Sequence, residues 1–117
     1  MAENRSIFRF KQFALAHGNP GLKITTEACL FGAWSAQFPQ NNTLDIGTGC
    51  GLLVSMLAQA HPNCQFTGIE IQADVAELAQ KNVFGLSNPS IEIQATSLVE
   101  YTGQHDFIIC NPPFFIN

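Results

Sequence analysis

The sequence predicts an open α/β fold, with about four parallel core strands joined by helices and preceded by an N-terminal hairpin and helix. Three observations predict it. From Thr43 onward, short apolar runs alternate with stretches of helical periodicity, and strict strand–helix alternation implies parallel strands joined by right-handed crossovers. The first of these strands runs into Asp45-Ile46-Gly47-Thr48-Gly49-Cys50-Gly51, with glycines at alternate positions ahead of a helical pattern. The fourth runs into Asn111-Pro112-Pro113-Phe114. If the first strand lies beside the fourth, both turns stand at neighbouring carboxyl ends, where open α/β sheets bind ligands, so the two motifs share one cleft.

The elements follow in order. Residues 7–17 alternate weakly, with Phe8 and Phe10 on one parity and Phe13 and Leu15 on the other. His17-Gly18-Asn19-Pro20-Gly21 is a dense turn signal before Leu22-Lys23-Ile24-Thr25, so a hairpin is expected here. Thr25 or Thr26 offers a hydroxyl N-cap to a helix over 27–37, with Glu27 well placed in its first turn. Ala28, Phe31, Gly32 and Ser35 give that helix a small-residue face, and Leu30 and Trp34 lie on another side. A first strand covers 43–46. Leu52, Leu53, Met56, Leu57 and Ala60 then recur at helical spacing until His61-Pro62-Asn63. A second strand covers 65–71. Asp74 is the expected N-cap of the next helix, with Glu77 three residues on; Val75, Leu78, Ala79 and Val83 form its buried stripe and Gly85 closes it. A third strand over 90–95, a short turn over 97–101 and an apolar run over 106–110 complete the pattern.

Composition narrows the class. A chain of 117 residues, 46% hydrophobic, can bury roughly two thirds of its unfolded surface around one core. No run approaches the ~18 apolar residues of a membrane span, and the N-terminus lacks an apolar signal core, so a cytoplasmic location is expected. Cys29, Cys50, Cys64 and Cys110 show no Cys-x-x-Cys pair and read as reduced thiols, while His17, His61 and His105 are scattered singly, so no metal is assigned. With net charge −4 and only five Lys and Arg, the chain cannot hold a polyanion by bulk electrostatics. Any nucleic-acid grip is local, and Arg5, Arg9 and Lys11 do interleave with Phe8, Phe10 and Phe13.

The glycine turn is the first chemical signal. Its glycines permit a tight turn and close backbone approach to a ligand, ahead of a helix N-terminus. A dinucleotide fingerprint needs a third glycine where Leu52 stands, so the turn points away from a pyrophosphate ligand. A glycine-rich turn with no ligand is the plain alternative. Glu70 ends the second strand near the ~20-residue offset at which a carboxylate meets a ribose. Ile71 beside it suits an adenine face. In Asn111-Pro112-Pro113-Phe114 the prolines remove two donors and leave carbonyls without local competition. That loop suits an amine: one N–H donates to the Asn111 side-chain oxygen and the other to the Pro112 carbonyl, while Phe114 stacks on a conjugated ring. Two acceptors turn the nitrogen lone pair outward, so attack on a methyl donor depends on positioning more than on a strong base.

Together, Asp-Ile-Gly-Thr-Gly-Cys-Gly, Gly68-Ile69-Glu70-Ile71 and Asn-Pro-Pro-Phe resemble, in order and spacing, the class I S-adenosylmethionine-dependent amino-methyltransferases, with a Rossmann-like sheet. The run Phe8-Arg9-Phe10-Lys11-Gln12-Phe13, Ala16-His17, Leu22 to Glu27 and Leu30-Phe31-Gly32-Ala33-Trp34 is similar to the bacterial tRNA(Val) adenine-N6 methyltransferases, which modify the adenine 3′ of the anticodon. The resemblance implies that Asn111, Pro112 and Phe114 hold the target adenine. It implies that Asp45, Gly47, Gly49, Gly51 and Glu70 bind S-adenosylmethionine, with Thr25 and Thr26 near its methionine end and Asn111 facing both partners. Glu27 stands where the family usually has Asp, and Thr96 where an Asp commonly receives the cofactor's adenine amine. The family continues beyond the length of this chain. Residues 1–42 are thus expected to be a hairpin and helix covering the cleft, and 43–117 the N-terminal half of the cofactor domain with its C-terminal half absent. Guanine-N2 ribosomal RNA, DNA adenine-N6 and protein glutamine-N5 methyltransferases share such a loop and are alternatives. So is an inactive module that binds cofactor or self-associates through an exposed sheet edge.

Overall fold

The computed structural model describes residues 6–9, 14–18, 25–38, 41–86 and 90–111. The elements are β1 (Ser6–Arg9), β2 (Ala14–Gly18), α1 (Thr26–Ser35), β3 (Asn42–Ile46), α2 (Leu52–Ala60), β4 (Gln65–Glu70), α3 (Ala73–Gly85), β5 (Ile91–Ala95) and β6 (Phe107–Cys110). β1 and β2 pair antiparallel, with Phe8 opposite Leu15 and Arg9 opposite Ala14. The chain therefore reverses between Arg9 and Ala14. His17 and Gly18, the start of the turn signal at 17–21, belong to the second strand of this hairpin, and the rest of that signal lies outside the described residues.

The remaining strands form one parallel sheet in the order β5-β4-β3-β6, so the first parallel strand does lie beside the fourth. Ile46 pairs with both Ile69 and Cys110, which aligns the carboxyl ends of three adjacent strands. Phe66, Ile93 and Ile109 share one core with Leu53, Val54, Leu57 and Ala58 of α2 and with Ala76, Ala79 and Val83 of α3. β6 stands at one margin of this sheet, with Ile108 59% exposed.

Local chemistry sets the helices. Thr25 caps α1 by accepting from Ala28 N at 3.1 Å, which satisfies a donor that the helix itself leaves free. The small-residue face of α1 is its buried one: Gly32 and Ser35 are buried, while Leu30 and Trp34 are exposed. A Cβ on Gly32 would lie 2.5 Å from Met56 Sδ, so glycine lets α1 approach α2. His61 Nε2 donates to the Ala36 carbonyl at 2.7 Å and joins the C-terminal ends of α1 and α2. α2 has partners on more than one side: Val54 is fully buried, whereas Ala60, expected in its stripe, is exposed.

α3 differs from expectation at its start. Its N-cap is Gln72, with no side-chain cap, and Asp74 lies inside the first turn. The Glu70 carboxylate accepts from Gln72 N at 3.1 Å, so the chain enters the helix held from β4. Asp74 still places negative charge at the positive helix end.

At the amino end of the sheet, Asn42 Nδ2 donates to the Gln104 carbonyl at 3.2 Å, which leaves Asn42 Oδ1 to accept from His105 Nδ1 at 2.9 Å. His105 Nε2 then accepts from Tyr101 Oη at 2.6 Å. This clamp fastens the segment before β6 to the start of β3. Among the described residues, no helix is long and apolar enough to cross a membrane.

Candidate active site

The glycine turn is built by its conformation and its anchors. Gly47, Gly49 and Gly51 have φ of 70°, 57° and 89°, the left-handed region that disfavours any side chain. A Cβ on Gly47 or Gly49 would meet nothing within 4 Å, so the turn's outer surface is open; a Cβ on Gly51 would lie 3.5 Å from Val83 Cγ1, so that end packs on α3. Two consecutive amides, Gly47 N and Thr48 N, donate to the Ile69 carbonyl at 2.9 Å each. Asn82 Nδ2 reaches from α3 to the Cys50 carbonyl at 2.8 Å.

Glu70 closes the turn from β4. It is 9% exposed, and its Oε1 accepts from Gly49 N at 3.0 Å while Oε2 accepts from Gln72 N. Each oxygen keeps a further lone pair for a ligand hydroxyl. Ile71, next in the chain, is 71% exposed and presents an apolar surface beside the carboxylate. Thr96 N donates to the Glu70 carbonyl at 3.0 Å, and Thr96 Oγ1 donates to the Ser97 carbonyl at 3.4 Å. On the other side of the turn, Asn111 follows Cys110 and is exposed. Across the carboxyl edge the order is thus Thr96, Glu70 with Ile71, the glycine turn, and Asn111. Thr25 and Thr26 are exposed, and Ala28 and Cys29 just beyond them pack with Cys50 and Leu52 behind the turn. Pro112 and Phe114 lie outside the described residues.

Asp45, at the start of the motif, is buried. It is 1% exposed on the helix side of β3, beneath the turn, where Thr48 Oγ1 donates to its Oδ2 at 2.8 Å. Burial pushes its carboxyl up to about 7, against the Thr48 hydroxyl, which lowers it, and the nearby Glu70 charge, which adds to the rise. Burial also pushes the Cys50 thiol up to about 11, so it is a packing group and no nucleophile. The four cysteines carry no disulfide, and among the described residues no three His, Cys, Asp or Glu side chains could hold a metal ion.

Sequence reasoning passed over Thr48 and Gly68. A Cβ on Gly68 would stand 2.7 Å from Thr48 Oγ1, 2.8 Å from Thr48 Cβ and 2.9 Å from Ile93 Cδ1. A glycine inside a strand is a known mark of close approach, and that was the available signal. The Gly68→Ala variant is expected to melt on the order of 10 °C lower, because overpacking a held neighbour costs about 1–3 kcal/mol and exceeds the ~0.5–1 kcal/mol that alanine gains in a strand. Thermal denaturation followed by circular dichroism checks this, and an unchanged midpoint would show that Thr48 moves freely.

Comparison with known proteins adds the following. A family model described as methyltransferase small domain matches residues 26–117. Among curated relatives, a protein of Vibrio campbellii named tRNA1(Val) (adenine(37)-N6)-methyltransferase is 40% identical over 112 residues, covering 92% of this chain and 46% of the relative. A Cytophaga hutchinsonii protein of the same name is 39% identical, covering 96% and 49%. The chain thus spans about half the length of the curated relatives it matches. Among solved structures, Pyrococcus abyssi tRNA (uracil-54, C5)-methyltransferase in complex with S-adenosyl-L-homocysteine superposes with a TM-score of 0.75 at 19% identity, over 97% of this chain and 29% of that one, a likeness of fold. PKMT2 from Rickettsia typhi in complex with AdoHcy gives 0.56 at 27% identity, over 61% and 14%.

Proposed function

We propose, on the premise that this chain belongs to the methyltransferase small-domain family, that it provides the cofactor-binding and amine-binding part of an S-adenosylmethionine-dependent methyltransferase acting on the N6 amine of an adenine in valine tRNA. One observation carries the reading: an open glycine turn stands on the central strand between a ribose-suited carboxylate, Glu70, and an amide acceptor, Asn111, at the ends of the two flanking strands. The names of the curated relatives support the substrate.

The residues fit the cofactor. Gly47 and Gly49 leave space above the backbone, Glu70 retains acceptor capacity for two hydroxyls, and Ile71 offers an apolar face. S-adenosylmethionine, when bound, supplies a methyl group activated on a sulfonium. Asn111 accepts one N–H of the target amine and the Pro112 carbonyl the other, while Phe114 stacks on the base. The two acceptors orient the nitrogen lone pair and stabilise positive charge as it develops there; the amine proton then leaves to solvent. Thr96 supplies a hydroxyl at the adenine end of the cofactor, and Thr25 and Thr26 line its methionine end. Residues 1–42 cover the cleft and 43–117 bind the cofactor, in the cytoplasm, with tRNA as partner.

Mass spectrometry of valine tRNA after incubation with the full-length protein and labelled cofactor tests this. The expected result is one labelled methyl group on an adenine beside the anticodon. A label on guanine or on protein, or none at all, overturns the substrate. An inactive, self-associating module is the second reading, favoured by the exposed Ile108 on marginal strand β6. It predicts no methyl transfer and an oligomer by sedimentation.

A further inference from the structure

Beneath the open turn lies a buried group that the proposed reaction does not use. Asp45 Oδ1 is the only buried side-chain oxygen or nitrogen among the described residues with no hydrogen-bond partner. Its sister oxygen holds Thr48, the residue between the two open glycines. Thr48 is itself fixed three ways: its amide donates to Ile69, its carbonyl accepts from Gly51 N at 2.9 Å, and its hydroxyl reaches Asp45. Gly68 leaves the space into which that side chain descends.

We infer that Asp45 and Thr48 form a proton-dependent latch under the glycine turn, with Thr48 as the positioning residue that keeps the Gly47 and Gly49 backbone open to a ligand. For its consequence on ligand binding, the inference rests on the cofactor reading above. Ionised Asp45 accepts a charge-assisted bond from Thr48, which is shorter and stronger than a neutral one. The same ionisation places an unpaired charge in the interior, which costs stability. The titratable groups facing Asp45 are Glu70 from β4, Cys50 from the turn and Cys110 from β6, and none of them supplies a positive charge. The two effects therefore oppose each other: as the proton leaves, the turn tightens and the fold weakens.

The sign follows from linkage. Asp45 is raised from 3.8 to about 7, so the stability it contributes is complete below its unfolded value and is lost as pH rises through about 7. The Thr48 hydroxyl lowers that value, so removing the hydroxyl moves the loss to higher pH.

Thermal denaturation of the chain across pH, without ligand, is the first arm. The parent midpoint should fall, between about pH 5 and pH 8, by roughly 5 °C more than that of Asp45→Asn. Thr48→Val, which keeps the shape and loses the hydroxyl, should shift the fall upward in pH, and Thr48→Ser should restore it. Parallel curves for parent and Asp45→Asn, or identical curves for Thr48→Val and Thr48→Ser, overturn the latch. The second arm is calorimetric binding of S-adenosylhomocysteine over the same range. Affinity of the parent should rise about threefold or more with pH while stability falls, and Thr48→Val should lose that rise. Binding that is flat with pH in the parent overturns the latch; no binding by the parent at any pH counts against the cofactor reading, and the ligand-free arm then decides the latch.

Discussion

Replacing Asn111 by Ala should lower methyl transfer by the full-length protein about a hundredfold or more while changing affinity for S-adenosylhomocysteine by no more than about twofold. Asn111 is exposed at the end of β6, so its truncation should leave stability within about 0.5 kcal/mol. Among the described residues no bond joins it to the glycine turn, to Glu70 or to Thr96, so its truncation should leave those residues in place. On the proposed function, what disappears is one of the two acceptors that orient the amine, and with it the fixed direction of the nitrogen lone pair. Single-turnover kinetics beside calorimetry separates the two effects. If turnover and cofactor binding fall together, Asn111 belongs to the cofactor and the amine-orienting role is wrong.

Glu70→Ala is expected to act on both fold and ligand. Two backbone donors, Gly49 N at 3.0 Å and Gln72 N at 3.1 Å, lose their acceptor in a place where the carboxylate is 9% exposed. Unsatisfied donors of this kind cost about 1–3 kcal/mol, and the turn keeps only the Gly47 and Thr48 amide bonds to the Ile69 carbonyl as its hold on β4. On the proposed function, the ribose acceptor disappears as well. Affinity for S-adenosylhomocysteine should fall roughly ten- to a hundredfold, about 1.4–2.8 kcal/mol. Glu70→Gln keeps one amide oxygen and should fall between parent and Ala. Calorimetry at a temperature where every variant is folded gives the answer, and unchanged affinity in Glu70→Ala would remove this residue from the binding site.

The parts of the fold that sequence made legible were those set by neighbours along the chain. That the strands are parallel followed from strand–helix alternation, and the two faces of α1 were visible in the spacing of Ala28, Phe31, Gly32 and Ser35 against Leu30 and Trp34, although which face is buried was not. Glycines at 47, 49 and 51 announced a turn because left-handed backbone restricts residue choice, and all three take it. Contacts made only by folding were hidden. Nothing local shows that Gly68 is small so that Thr48 can lie beneath the turn, or that Glu70 will hold the entry to α3 and displace Asp74 from the cap. The resemblance places Asp45 among the residues that bind the cofactor; what sequence did not show is that it is buried beneath the turn and accepts from the Thr48 hydroxyl there. The N-terminal hairpin was legible, and its register, with Phe8 opposite Leu15, was not.

The Asn42–His105 bond joins residues 63 apart in sequence, and this separation bears on the order of assembly. β3 pairs with β4, and β4 with β5, across a single helix each, and α2 and α3 pack on the strands that follow them, so closing these elements together costs little loop entropy. β6 must return across that whole unit to reach β3. That pairing spans 64 positions (Thr43 to Phe107), against 23 for β3 with β4 (Thr43 to Phe66) and 25 for β4 with β5 (Phe66 to Ile91), so it carries the largest loop-closure cost in the sheet and is expected to form last.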